Sequence, residues 1–263
     1  MTPLEHILFG KKITSKLEKI HTYHETHLLR PENPAREESL KIGKSKFPQA
    51  QELSTLEGRV KALHSFASHE LQAIELMSLA LLFFPAREDW EKKYKDHLLL
   101  ALDDEQRHFK LYEMRIKDLG YNFGDFPVNL HLWNKCKNIT TLKQFAAVMS
   151  LTFETANLDF ALHYALYFRK FGDEKSAHVL EEVHQDEIVH VAYGQKAFDA
   201  SLEHENNFFK AYEKELPFGL TPAHSRGGKE IFDLKGRKKA RLTDDFIKQT
   251  RTYPRAMRAK SSS

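Results

Sequence analysis

Apolar residues recur at intervals of three and four along four long stretches of this chain, a period that predicts a helix in each. In the first, Leu53 to Phe84, the period is carried by Val60, Leu63, Phe66, Ala67, Leu71, Ile74, Met77 and Leu81, and Pro85 ends it. The second runs from about Arg87 to Leu119 and stops at Gly120, a residue suited to the position after a helix. Thr141 is placed to cap a third, through Phe145, Val148, Met149 and Phe153 to Phe171, with Gly172 as its stop. Asp173 is placed to cap a fourth, from Glu174 to about Phe209. Between the second and third, Tyr121–Thr140 holds Gly124, Pro127 and Asn138 and no sustained period. So long a gap is uncommon inside a domain unless it has a task, here the crossover from one helix pair to the next.

The predicted fold is all-α: an antiparallel four-helix bundle over residues 53–212, with the long crossover between its second and third helices. Residues 1–52 read as an N-terminal arm of short helices and extended chain lying on the bundle, because Pro31, Pro34 and Pro48 interrupt every period. Residues 213–263 read as a looped tail with a short helix near Asp244–Gln249 and a disordered end at Ser261-Ser262-Ser263.

Composition changes this picture little. With 41% hydrophobic and 29% charged residues the chain has a globular balance. Its longest apolar run, around Leu76–Pro85, is too short to span a bilayer, so no membrane association is expected. The N-terminus lacks the basic start and apolar middle of a signal peptide, and the single Cys136 cannot form an internal disulfide; both suit the cytoplasm. Cys136 itself reads as an ordinary, partly buried thiol. Charge is uneven: from His224 onward 12 Lys/Arg face 4 Asp/Glu, so the tail carries +8 and the rest −5. The tail is expected to be a solvated extension. Contact with nucleic acid or an acidic partner is the alternative, although only Phe232, Phe246 and Tyr253 interleave its charges.

The chemistry lies in a pattern that occurs twice. Glu70 is followed 35 residues on by the Glu of Asp104-Glu105-Gln106-Arg107-His108, and Glu154 is followed 33 residues on by the Glu of Asp186-Glu187-Ile188-Val189-His190. Glu and His three apart share a helix face, about 60° apart around the axis. Two such helices and two more offering one Glu each make the ligand set of a carboxylate-bridged di-metal site. Four inward carboxylates repel one another and are costly to bury unless cations compensate them. Two divalent ions do so, and oxygen-rich ligation with one imidazole per ion suits iron or manganese. The expected ligands are Glu70, Glu105 and His108 for one ion and Glu154, Glu187 and His190 for the other, with the bridging Glu left open.

Around them, Asp104 is expected to accept the free ring N–H of His190, and Asp186 that of His108, with Arg107 neutralising an acid nearby. Glu75 and Asp159 also repeat, each five residues after its Glu. They stand about 140° around the helix and are expected to support the site or bridge helices rather than to ligate. Glu181-x-x-His184 has no counterpart in the first half and reads as incidental. Tyr112 and Tyr193 read as core, and His64 and His69 as structural or supporting residues.

With these motifs the chain resembles the ferritin-like superfamily, and the Asp104–His108 stretch is similar to the motif of di-iron oxygenases. His69-Glu70-Leu71-Gln72-Ala73-Ile74-Glu75-Leu76, Phe153-Glu154-Thr155-Ala156-Asn157-Leu158-Asp159-Phe160, His184-Gln185-Asp186-Glu187 and Leu220-Thr221-Pro222-Ala223 look like its branch known as domain-of-unknown-function family 455. The resemblance covers roughly residues 55–250 and implies a four-helix bundle with a di-metal, di-iron centre. A looser similarity runs to the bacterial non-haem di-iron monooxygenase that modifies tRNA.

The expected function is that of an O₂- or peroxide-dependent oxidoreductase acting on an unidentified small molecule, as a monomer or small oligomer. Two alternatives come from other classes. One is a protein that oxidises or handles iron. The other is a helical scaffold whose metals only stabilise it, with the basic tail recruiting a partner.

Overall fold

The computed structural model of the protein describes residues 1–43, 46–203, 205, 207–228 and 230–255; the expectation for Ser261–Ser263 lies outside them. Among the described residues the chain is helical without strands, and its one β-type pairing is an isolated bridge between Ile42 and Val128. The arm begins with α1 (Pro3–Phe9), capped by Thr2, and α2 (Ile13–Lys16). A 3₁₀ turn (Ala50–Ser54) then leads into α3 (Leu56–Phe83), which packs on α4 (Asp89–Asp118). The crossover is not structureless: it contains α5 (His131–Cys136), anchored by the buried Trp133.

The expected third helix is continuous but not uniform. Thr141 caps α6 (Leu142–Phe145), the spiral widens to π geometry over Ala146–Glu154, and α7 (Thr155–Lys170) completes it. The threonines hold the widened turns: the hydroxyls of Thr152 and Thr155 donate to the carbonyls of Ala147 and Ser150, five residues back. Widened turns of this kind collect at functional sites, and this one ends on Glu154.

The fourth helix, α8 (Glu174–Ala200), starts at the predicted Asp173 cap but stops short of Phe209, which belongs instead to α9 (Phe208–Glu215). The tail then forms α10 (Leu234–Lys239) and α11 (Asp244–Thr252).

Side-chain contacts give the helix directions. Phe66 stacks on Tyr112 while Lys95 donates to the carbonyl of Leu81, so α3 and α4 are antiparallel. Asn157 meets Glu187 and Arg169 meets Glu181, so α7 and α8 are antiparallel. The two pairs join where α4 packs on α8. The middle of α3 is buried all round, as expected of a helix covered by α4, the arm and α5 together. Its polar residues there turn inward on their own helix, Gln72 and Ser78 each donating to the carbonyl four residues back.

The tail corrects the expectation of a solvated extension. Arg237, Phe246, Ile247 and Thr250 are buried, and α10 and α11 lie against α7, α8 and α9. The reason is a buried acid: Arg237 forks onto Asp159 at 2.5 and 2.9 Å, and Asp159 also accepts from the backbone N–H groups of Gly227 and Asp233. The arm is tied down in the same manner. Glu75 accepts from Arg36 at 2.6 and 3.2 Å, with the Lys16 ammonium 3.4 Å away. The two acids that stand five residues beyond Glu70 and Glu154 thus latch the two ends of the chain to the helices.

Candidate metal centre

Six side chains from four helical segments converge between the two helix pairs: Glu70 from α3, Glu105 and His108 from α4, Glu154 at the end of the widened turns, and Glu187 and His190 from α8. None is more than 6% exposed. Potential ligand atoms of Glu70, Glu105, His108 and Glu187 lie within 4.8 Å of one another, as do those of Glu105, Glu154 and His190.

Glu105 belongs to both groups. Its Oε2 faces His108 Nδ1 at 3.7 Å and its Oε1 faces His190 Nδ1 at 3.4 Å, so one carboxylate spans the two halves. This differs from the half-by-half expectation, which set Glu187 with Glu154 and His190. Glu187 groups with Glu70 and His108, although its Oε2 also lies 3.8 Å from His190 Nδ1. The cause is the antiparallel packing of α4 on α8, which sets the two Glu-x-x-His faces opposite each other and puts both motif carboxylates between the imidazoles.

Both imidazoles are oriented from behind. His108 Nε2 lies 3.1 Å from Asp186 Oδ2, and His190 Nε2 lies 3.2 Å from Asp104 Oδ2. An N–H on Nε2 leaves the Nδ1 lone pair directed into the cluster. Arg107 bridges the acids, donating to Asp186, to Asp104 at 3.4 Å and to Glu182 at 2.5 Å. With these partners both Asp104 and Asp186 stay below the ordinary aspartate range: burial works against Asp104 but His190 overrides it, and His108 is the main influence on Asp186.

Without cations the cluster must hold protons. Burial, and then Glu105 beside it, raise Glu70 well above the usual carboxylate range; burial raises Glu154 to about 8. Glu105 runs the other way: burial opposes its ionisation, yet Glu70 and the two imidazoles around it hold it well below that range. Burial also opposes charge on the imidazoles, but Asp186 and Glu105 raise His108 to about 9, and Asp104 and Glu105 raise His190.

The donor set fits divalent cations. Five buried atoms (Glu105 Oε2, His108 Nδ1, Glu154 Oε2, Glu187 Oε2 and His190 Nδ1) have no hydrogen-bond partner and face one small volume. Buried lone pairs left bare are costly, and coordination is the interaction that satisfies all five together.

The other candidates lie outside the two ligand groups. Glu75 and Asp159 are spent on the latches, Glu181 pairs with Arg169, and His184 Nε2 lies 2.8 Å from Asp233. His64 accepts from the Gly124 N–H, and Tyr193 stacks on His97. Tyr112 is buried on Phe66 with its hydroxyl unpartnered, and burial and then Glu70 push its ionisation well up. One residue escaped the sequence reading: Asn157 donates to Glu187 Oε1 at 2.8 Å. Its place three residues after Glu154, on the same helix face, was the available signal.

A cavity of about 1100 Å³ opens onto Glu70, Glu105, Glu154 and Glu187. Its lining comes from the bundle together with the arm, the crossover and the tail.

No described helix is long and apolar enough to cross a membrane. Comparison with known proteins finds one curated relative of note, an uncharacterized protein from Haemophilus influenzae, 29% identical over 153 residues. That stretch covers 56% of this chain and 53% of the relative, so the match spans about half of each. No solved structure matches. Residues 4–248 match the model of the family described as "Protein of unknown function (DUF455)". With all but its two ends covered by that match, the chain belongs to the DUF455 family.

Proposed function

We propose that the protein is a ferritin-like four-helix bundle that binds two divalent metal ions, iron or manganese, and works as an oxidoreductase on a small organic substrate. The observation that carries this reading is the convergence of five unpartnered, buried ligand atoms from three helical segments. Two redox-active ions bound there would supply electron transfer to O₂ or peroxide.

The chain's own residues would supply the rest. Glu105 offers one oxygen to each half, and Glu70, Glu154 and Glu187 complete a charge of −4 against two +2 ions. Asp104 and Asp186 keep the Nε2 protons in place, so that the imidazoles present Nδ1. Asn157 fixes the free rotation of the Glu187 carboxylate by holding Oε1. Apolar residues such as Phe66 and Phe153 line the cavity beside the cluster. Burial of the six side chains strengthens the charge interactions among them relative to water.

The cavity favours this reading over an iron store, which has no use for a chamber of substrate size beside its metal site. The latch takes one tail arginine, the buried Arg237, out of the set that could meet a partner in the scaffold reading. The test is metal analysis of protein purified with iron retained, with optical spectra before and after reduction and re-exposure to air. Two metals per chain and a visible band that bleaches and returns would support the proposal. Absence of stoichiometric metal would sink it.

A further inference from the structure

The cavity has two kinds of charged lining. Its acidic lining residues are Glu70, Glu105, Glu154 and Glu187, the carboxylates of the cluster. Its arginines are Arg226 and Arg255, both contributed by the tail. Among the described residues neither guanidinium has a carboxylate within ion-pair distance. Arg226 donates to the backbone carbonyls of Arg251 and, at 2.5 Å, Tyr253, while its Nε is buried without a partner. Arg255 donates to the carbonyls of Gly227 and, at 3.3 Å, Gly228. Carbonyls orient a guanidinium but do not neutralise it. Arg36 and Arg237, by contrast, each meet a carboxylate, Glu75 and Asp159, while Arg30, like Arg226, rests on backbone carbonyls. Burial and then the neighbouring Arg255 work against the charge on Arg226, and Asp159 offsets them in part. Phe47, Phe153 and Phe160 line the wall of the same chamber.

We propose that the cavity binds an amphipathic organic anion, its carboxylate or phosphate head held by Arg226 and Arg255 and its apolar body lying along Phe47, Phe153 and Phe160 toward Glu70 and Glu154. Paired guanidiniums suit either head group, since each presents a fork of donors to two oxygens. The volume accommodates a ligand of drug size or somewhat larger. That the far end of the ligand is where reaction occurs rests on the metal-centre reading; the binding of the anion does not. The tail's positive charge thereby acquires a use other than nucleic-acid contact, because two of its arginines, Arg226 half-buried and Arg255 exposed, line the cavity.

Calorimetric titration of the full-length, metal-loaded protein with octanoate, octyl phosphate and 1-octanol tests the inference, with metal content measured on the same samples and the series repeated after chelation. The expected result is one anion per chain, bound at least tenfold more tightly than octanol, with the tighter of the two anions identifying the head group. The double variant R226Q/R255Q should lose that tenfold preference while still binding octanol. Because its tail could loosen, a second variant, Ala73→Phe, fills the chamber from α3 and should abolish binding of all three probes with both arginines intact. Octanol binding as tightly as the anions, a preference that survives in R226Q/R255Q, or no anion binding at millimolar concentration would each overturn the proposal. Arginine-dependent binding of octanoate to a protein that holds no metal would leave the anion site standing and remove the metal centre. Two metals per chain without anion binding would do the reverse.

Discussion

His108 Nε2 stands 3.1 Å from the Asp186 carboxylate, on a helix reached only after the whole crossover and third helix have been traversed. The mirror contact, His190 with Asp104, closes the opposite corner at 3.2 Å. Each motif therefore orients the imidazole of the other, and neither half makes a complete site alone. Replacing Asp186 by Asn keeps the shape but removes the charge that favours a donor on Nε2. The expected outcome for D186N, and for D104N, is metal affinity weakened by roughly 10- to 100-fold with helical content unchanged. Competition against a metallochromic chelator measures it. Affinity equal to that of the parent protein would show that the carboxylates do not support the ligands.

Stability of the metal-free protein should fall as pH rises between about 6.5 and 9. The sign follows from two groups. His108 is raised to about 9 in the fold from an ordinary 6.5, so its contribution is complete below 6.5 and disappears as pH climbs through 9. Glu154, raised to about 8, likewise binds its proton more tightly when folded, and that advantage is lost on the way up to 8. His64 and His69, lowered to about 4 chiefly by burial, act oppositely, but their effect is confined to pH below 6.5. Metal ions need the donors deprotonated, so metal affinity should rise over the same window and the loaded protein should lose the slope. Melting temperatures of stripped and loaded protein from pH 6.5 to 9 test this; a flat or rising curve for the stripped protein would refute it.

The latches carry a third prediction. Asp159→Ala leaves Arg237 buried without its partner, and breaking one side of a buried pair costs roughly 3–5 kcal/mol. For a chain of this size that corresponds to a fall in melting temperature on the order of 10 °C. The double variant D159L/R237M, which removes both charges, should recover most of the loss, since apolar replacement of a complete pair is often neutral. Glu75→Ala should behave likewise through Arg36 and Lys16. Thermal denaturation of the three variants decides the matter, and a melting temperature for D159A within about 2 °C of the parent's would count against the latch.

These residues also show how far the sequence could be read. Four helices and six convergent side chains were legible because both signals are periodic: apolar residues at three and four, Glu and His at three. Glu75 and Asp159 were visible as a repeat, but their partners were not. Arg36 and Arg237 lie in segments with no period, 39 and 78 residues away, and nothing local marks one arginine among many as the buried one. The widened turns at Ala146–Glu154 escaped for a different reason. Threonine hydroxyls reaching a carbonyl five residues back leave the apolar pattern helical, so the π geometry is invisible to any test of period. The sharing of Glu105 between two groups depends on how α4 rotates against α8, which is set by packing over their whole length.

Gly194 supplies the last prediction, since it lets α8 approach those widened turns. A Cβ added there would stand 1.9 Å from Ser150 Cβ and 2.3 Å from its hydroxyl, far inside contact distance. The obstacle is the base of a side chain on a helix, which cannot swing away. Gly194→Ala must therefore push α8 off the segment that ends in Glu154, one turn from His190. Overpacking of this kind costs roughly 1–3 kcal/mol. It should also weaken metal binding, because Glu154 and His190 ride on the two elements being separated. Ser150→Gly removes the obstructing atoms and should restore part of both losses in the Gly194→Ala background, as coupled neighbours do. Denaturant melts and metal titrations of the two single variants and the double complete the cycle. Losses that simply add would mean that the helices meet elsewhere and that the close approach at Gly194 does not position the site.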